Sequence, residues 1–207
     1  MPSDSYHIIE REATVETKVQ GSRFIGESCL ASSVDEALDR LQIVRKREHA
    51  ATHHCFAFQI DLFKNVQFKY SDDGEPSGTA GKSIYDVLCG WGVTNTLVVV
   101  TRYFGGTKLG TGGLARAYSH TARACLEASG KRQQFVTDQI RIIIEFSLYD
   151  RLTRLIQKYE AKPIQTDYSD VVNALVGIRR SRVEAFTRDI VELSGGKAVI
   201  DVTSSPS

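Results

Sequence analysis

Residues 101–119, TRYFGGTKLGTGGLARAYS, gather five glycines and three cations in one short stretch. Gly105, Gly106, Gly110, Gly112 and Gly113 surround Lys108, and Arg102 and Arg116 stand on the flanks. Backbone N–H groups in a glycine-rich turn at the start of a helix bind anions such as phosphate. Glycine serves positive φ and close backbone approach equally well with no ligand present. Residue types alone leave both readings open. Gly110-Thr-Gly112-Gly-Leu-Ala115 fits G-x-G-x-x-A, but eight residues separate it from Thr101 and no β-α-β unit follows. The dinucleotide fingerprint is therefore incomplete.

Other stretches offer weaker chemistry. Gly81-Lys82-Ser83 imitates the end of a Walker A loop, but Pro76 stands where its first glycine belongs and lacks an N–H the cradle would use. Ser83 is expected to cap a short helix over Ile84–Leu88 instead. Asp72, Asp73 and Glu75 fall in one turn-like stretch. They could hold magnesium or act as acid and base, although Asp-Gly and Glu-Pro are ordinary turn chemistry, the favoured reading. Spacing does not say whether this turn meets the glycine stretch. His49 and His53 are four apart as in H-E-x-x-H, but Ala50 replaces the glutamate and no third ligand follows at standard spacing, so no metal is expected. No Ser-His-Asp or Cys-His arrangement emerges, and neither a catalytic set nor a cofactor is expected. Arg179, Arg180 and Arg182 could grip RNA phosphates or form a solvated basic turn.

Periodicity supplies the elements that must position these residues. Strands are expected over Arg23–Leu30, His54–Ile60 and Thr96–Thr101, and a half-buried one around Val66, Phe68 and Tyr70 after a hairpin connection at Asp61–Asn65. Ser33 and Glu36 form a capping box for a helix from Val34 to Arg47, and Leu114–Ala128 reads as a helix stopped by Gly130. Gly130–Gln134 reads as a linker. Beyond it come a strand over Ile140–Phe146, a helix capped by Ser147, strands over Pro163–Tyr168 and Val171–Ile178, a helix capped by the Ser181–Glu184 box, and a strand over Ala198–Val202. That order, β-α-β-β-α-β, is the ferredoxin-like plan. Two domains are expected, 1–134 and 135–207, in an α+β protein.

The chain has 207 residues and a formal net charge of +1. Near-neutrality speaks against nucleic-acid binding by bulk charge, leaving a local basic patch as the route. Cys29, Cys55, Cys89 and Cys125 are widely spaced, as suits free thiols in a reducing compartment. No basic and apolar leader opens the chain, and no apolar run approaches the roughly 20 residues of a membrane span. A cytoplasmic protein with no membrane partner is expected.

Taken together, THHCFAFQI, SDDGEPSGTAGKSIYDVL and TRYFGGTKLGTGGLARAYS, followed by a ferredoxin-like tail, resemble the YigZ/IMPACT family over nearly the whole chain. Ser83 stands where that family usually has proline, so the G-K-S string is a by-product of one substitution. The resemblance implies an N-terminal β-α-β domain similar to domain IV of elongation factor G, a ribosomal-protein and GHMP-kinase-like superfold with a left-handed crossover. It implies a C-terminal domain similar to the ferredoxin-like domains of that factor. Eukaryotic relatives restrain a starvation-responsive translation kinase by competing for its ribosome-associated activator.

The leading expectation is thus a non-catalytic cytoplasmic protein that binds RNA or a ribosome-associated partner, with no DNA sequence specificity, and that acts in regulating translation. Arg102, Lys108 and Arg116 would contact phosphate, and Arg179, Arg180 and Arg182 would extend the surface. Tyr103, Phe104 and Tyr118 would stack on bases or pack against the sheet, packing being preferred. Two alternatives stand. One is a nucleotide or other phosphate-ligand protein or enzyme of GHMP-kinase type using Asp72, Asp73 or Glu75, although its serine-rich loop pattern is lacking. The other is a pure protein-interaction module.

Overall fold

A computed structural model describes residues 4–61 and 66–203. Most of the expected hairpin connection Asp61–Asn65 lies outside them. The chain forms two bodies, Tyr6–Gln134 and a second from Phe135 onward that also takes in the first residues up to Ser5.

The first body contains β1 (Ser5–Ile9), β2 (Ala13–Val19), β3 (Ser22–Leu30), α1 (Val34–Arg47), β4 (His53–Ile60), β5 (Gln67–Ser71), α2 (Gly81–Trp91), β6 (Thr96–Tyr103), α3 (Gly110–Ser129) and β7 (Lys131–Phe135). Among the described residues, a five-stranded sheet has the order β2-β3-β6-β4-β5, and β1 pairs with β7. Successive side chains of a strand face opposite ways. On β6, Leu97 and Val99 therefore join Phe56, Phe58, Leu41 and Val44 beneath α1. Val98 and Val100 join Phe24, Cys55, Ala57, Leu88, Tyr118 and Leu126 beneath α2 and α3. Arg102 shares the parity of Val98 and Val100 and so lies on the α3 face.

The second body contains β8 (Thr137–Glu145), α4 (Tyr149–Lys158), β9 (Lys162–Tyr168), β10 (Val171–Arg179), α5 (Val183–Ser194) and β11 (Val199–Thr203). Its sheet has the order β11-β8-β10-β9, every neighbour antiparallel. Ile140, Ile142, Val172 and Val176 pack against Leu152 of α4 and Phe186 and Ile190 of α5.

Several expectations need correction. Lys131–Phe135 is a strand paired with β1, not a linker. Helix α2 starts at Gly81, and Ser83 lies within it, donating to the Thr79 carbonyl at 3.3 Å. Ser147 and Ser181 lie in 3₁₀ turns, and neither α4 nor α5 has a side-chain cap. The strand at Phe68 and Tyr70 is a sheet edge, with those rings 54% and 40% exposed and stacked on Tyr85. No helix among the described residues is long and apolar enough to cross a membrane.

Candidate functional site

Beneath the glycine stretch lies a buried polar cluster. Arg102, at the end of β6, is 5% exposed, and Glu75 is 8% exposed. Arg102 Nη1 donates to Glu75 Oε1 at 2.6 Å, and the Tyr118 hydroxyl of α3 donates to the same oxygen at 2.8 Å. Burial pushes the Tyr118 phenol far up, with Cys55 and Glu75 adding to the shift, so Tyr118 keeps its proton at neutral pH. Arg102 Nη2 and the Gly105 amide both donate to Ser22 Oγ, at 3.3 and 3.2 Å. The glycine stretch and the acidic turn therefore do meet, through Arg102, Glu75 and Ser22. Their meeting is structural: it ties the end of β6 to α3 and to the turn before α2.

The other two carboxylates are also committed. Asp72 accepts from the amides of Gly78, Ala80 and Gly81 at 2.8, 2.9 and 2.8 Å, so a side chain upstream of the helix caps α2. Asp73 accepts from Arg45 Nη2 at 2.6 Å and from the His54 amide at 2.7 Å. His53 Nδ1 meets the Asp73 carbonyl at 2.7 Å, and His54 Nε2 meets the Glu48 carbonyl at 3.1 Å.

The glycines divide into two groups. A Cβ on Gly105 would lie 1.9 Å from the carbonyl carbon of Gly21, so two backbones touch there and no side chain fits. Gly106 and Gly110 have φ of +88° and +68° with open space around them. Gly110, Gly112 and Gly113 fall in the first turn of α3, which has neither a side-chain cap nor an acidic residue. A Cβ on Gly112 would sit 3.4 Å from Arg116 Nη1, so that guanidinium lies over the first turn.

The cations divide in the same way. Lys108 and Arg116 are exposed, and neither forms an ion pair among the described residues. Arg102, expected at a phosphate, is instead paired inside. Of the aromatics, Tyr118 is fully buried and Phe104 is 48% exposed. The Tyr103 hydroxyl donates to Glu48 at 2.8 Å, and Arg23 lies over its ring. Arg179, Arg180 and Arg182 belong to the second body, and each has a protein partner. Arg179 pairs with Glu160 at 3.1 Å, Arg180 with Asp138 at 2.8 Å, and Arg182 with Glu160 at 2.9 Å.

Three further residues belong to the exposed surface. His120 and Arg123 are exposed and follow Arg116 at i+4 and i+7, the spacing of one helix face. That spacing could have been read from LARAYSHTARA. Gln20, in the β2–β3 turn, lines a groove with Val19, Leu109, Gly113, Arg116, Ala117 and His120.

Residues 20–126 match the Impact N-terminal domain family, and residues 142–197 match a domain of unknown function, DUF1949. The chain is 32% identical to the IMPACT family member YvyE of Bacillus subtilis, over 95% of this chain and 90% of that protein. It is 31% identical to the IMPACT family member YigZ of Escherichia coli, over 93% of this chain and 95% of that one. A solved structure titled as a hypothetical protein superposes with a TM-score of 0.69 at 29% identity, over 99% of this chain and 98% of its own.

Proposed function

The chain belongs to the IMPACT family, and on that premise we propose that it binds RNA without catalysis, through the exposed face of α3. One observation carries the reading. Arg116, His120 and Arg123 share an exposed helix face, Lys108 stands just before it, and no acidic residue occupies the first turn. Phosphate contacts of this kind supply sequence-independent affinity, which a net charge of +1 confines to a local patch. The commitment of Asp72, Asp73 and Glu75 to structural bonds weighs against magnesium or base chemistry at this turn. The reading carries the finer fold expectations with it: an N-terminal body like elongation factor G domain IV, a ferredoxin-like C-terminal body, and cytoplasmic work close to the ribosome in regulating translation.

Fluorescence anisotropy with a mixed-sequence oligoribonucleotide tests it. The logarithm of affinity should fall linearly with the logarithm of salt, and Lys108→Ala and Arg116→Ala should each reduce the slope by about 0.7. Salt-independent binding, or no binding, contradicts the reading.

A further inference from the structure

The groove beside α3 has walls of two chemistries. Val19, Leu109 and Ala117 form an apolar side, while Arg116 and His120 form a polar one that carries the Arg116 charge. Its free volume is about 360 Å³, and it is about half open to solvent. Ala117 belongs to the core beneath α3, and Val19 and Leu109 pack against that core, so the apolar side is a partly exposed rim of the core that lies beside the Arg116 guanidinium. Gln20 adds a second detail. It holds φ of +45°, a left-handed conformation that costs a non-glycine residue strain. Its side chain is exposed and makes no hydrogen bond among the described residues. A glutamine in that position brings an amide donor and an amide acceptor to the groove, which is the chemistry that reads a base edge.

We propose that this groove seats one unpaired nucleotide of single-stranded RNA. The base lies against Val19, Leu109 and Ala117, its edge meets the Gln20 amide, and its phosphate lies at Arg116 and His120. The inference rests on the RNA reading above and goes beyond it, because a duplex keeps its bases stacked and out of reach of such a groove.

The test compares one short oligoribonucleotide in three forms: single-stranded, abasic throughout, and annealed to its complement. Wild type should bind the single strand about tenfold or more tighter than the other two forms, the scale of losing one base contact. Gln20→Gly removes the amide and relieves the positive φ, so the fold is kept, as thermal melting would verify. It should weaken single-strand binding several-fold and leave abasic binding unchanged. Leu109→Ala, which trims the apolar wall, should act in the same direction. Equal affinity for all three forms overturns the nucleotide seat and leaves the backbone reading standing. A Gln20→Gly loss that is equal for normal and abasic strands also overturns it. Failure of every form to bind overturns both readings.

Discussion

Arg102 and Arg116 show how two arginines fourteen positions apart on one motif take opposite roles. Arg102 is half of a buried pair, and removing one partner of such a pair leaves a charge without compensation in a low dielectric. Arg102→Met should therefore cost about 3 to 5 kcal/mol of stability, seen as a lower urea midpoint with an unchanged slope. Arg116→Ala, at an exposed position with no ion pair among the described residues, should leave the unfolding free energy within about 0.5 kcal/mol of wild type. A comparable loss in both variants would contradict the division made between them. The glycines separate by the same logic. Gly105→Ala places a methyl 1.9 Å from the Gly21 carbonyl carbon, so the β2–β3 turn or the loop after β6 must move. Gly106→Ala meets open space and bears only the cost of its φ, about 1 kcal/mol. Thermal melting should rank Gly105→Ala as the more damaging. The reverse order would mean that the backbone contact is not tight.

At the scale of elements, α2 depends on a residue outside itself. The Asp72 carboxylate accepts from the amides of Ala80 and Gly81, where negative charge also suits the helix dipole. Asp72→Ala should cost about 2 kcal/mol by thermal or urea unfolding, whereas Ser83→Ala should be nearly neutral. Equal costs would restore Ser83 as the cap. This arrangement explains why the sequence points to the wrong cap for α2, since the start signal is nine residues upstream rather than at the first turn. Strands β1 and β7 are not legible in the sequence for a related reason: each finds its partner more than a hundred residues away, and KRQQF alone looks like a polar connector. The alternation of Phe68 and Tyr70 was read correctly as a strand, but alternation does not reveal that a strand lies at a sheet edge. By contrast, α1 carried its own cap, with the Glu36 amide donating to Ser33 Oγ at 3.1 Å. The run TLVVVT announced a strand buried on both faces. The inward position of Arg102 was not legible: on a strand apolar on both faces, parity with Val98 and Val100 selects the face and not the depth. The groove was not legible, because Val19 and Gln20 come to α3 only through the fold.

At the scale of the molecule, the two bodies each have a core of their own. The basic turn at Arg179–Arg182 is balanced by neighbouring acids, whereas Lys108, Arg116 and Arg123 form no ion pair among the described residues and stand at or before one exposed face of α3. RNA contact is therefore expected on the first body. Photo-crosslinking with single-stranded RNA carrying 4-thiouridine, followed by mass spectrometry of the crosslinked peptides, tests that assignment most directly. Crosslinks falling on the Val19–Gln20 turn and between Phe104 and Arg123 are the result the account predicts. Crosslinks confined to the body beginning at Phe135, or no crosslinks at all, would contradict it.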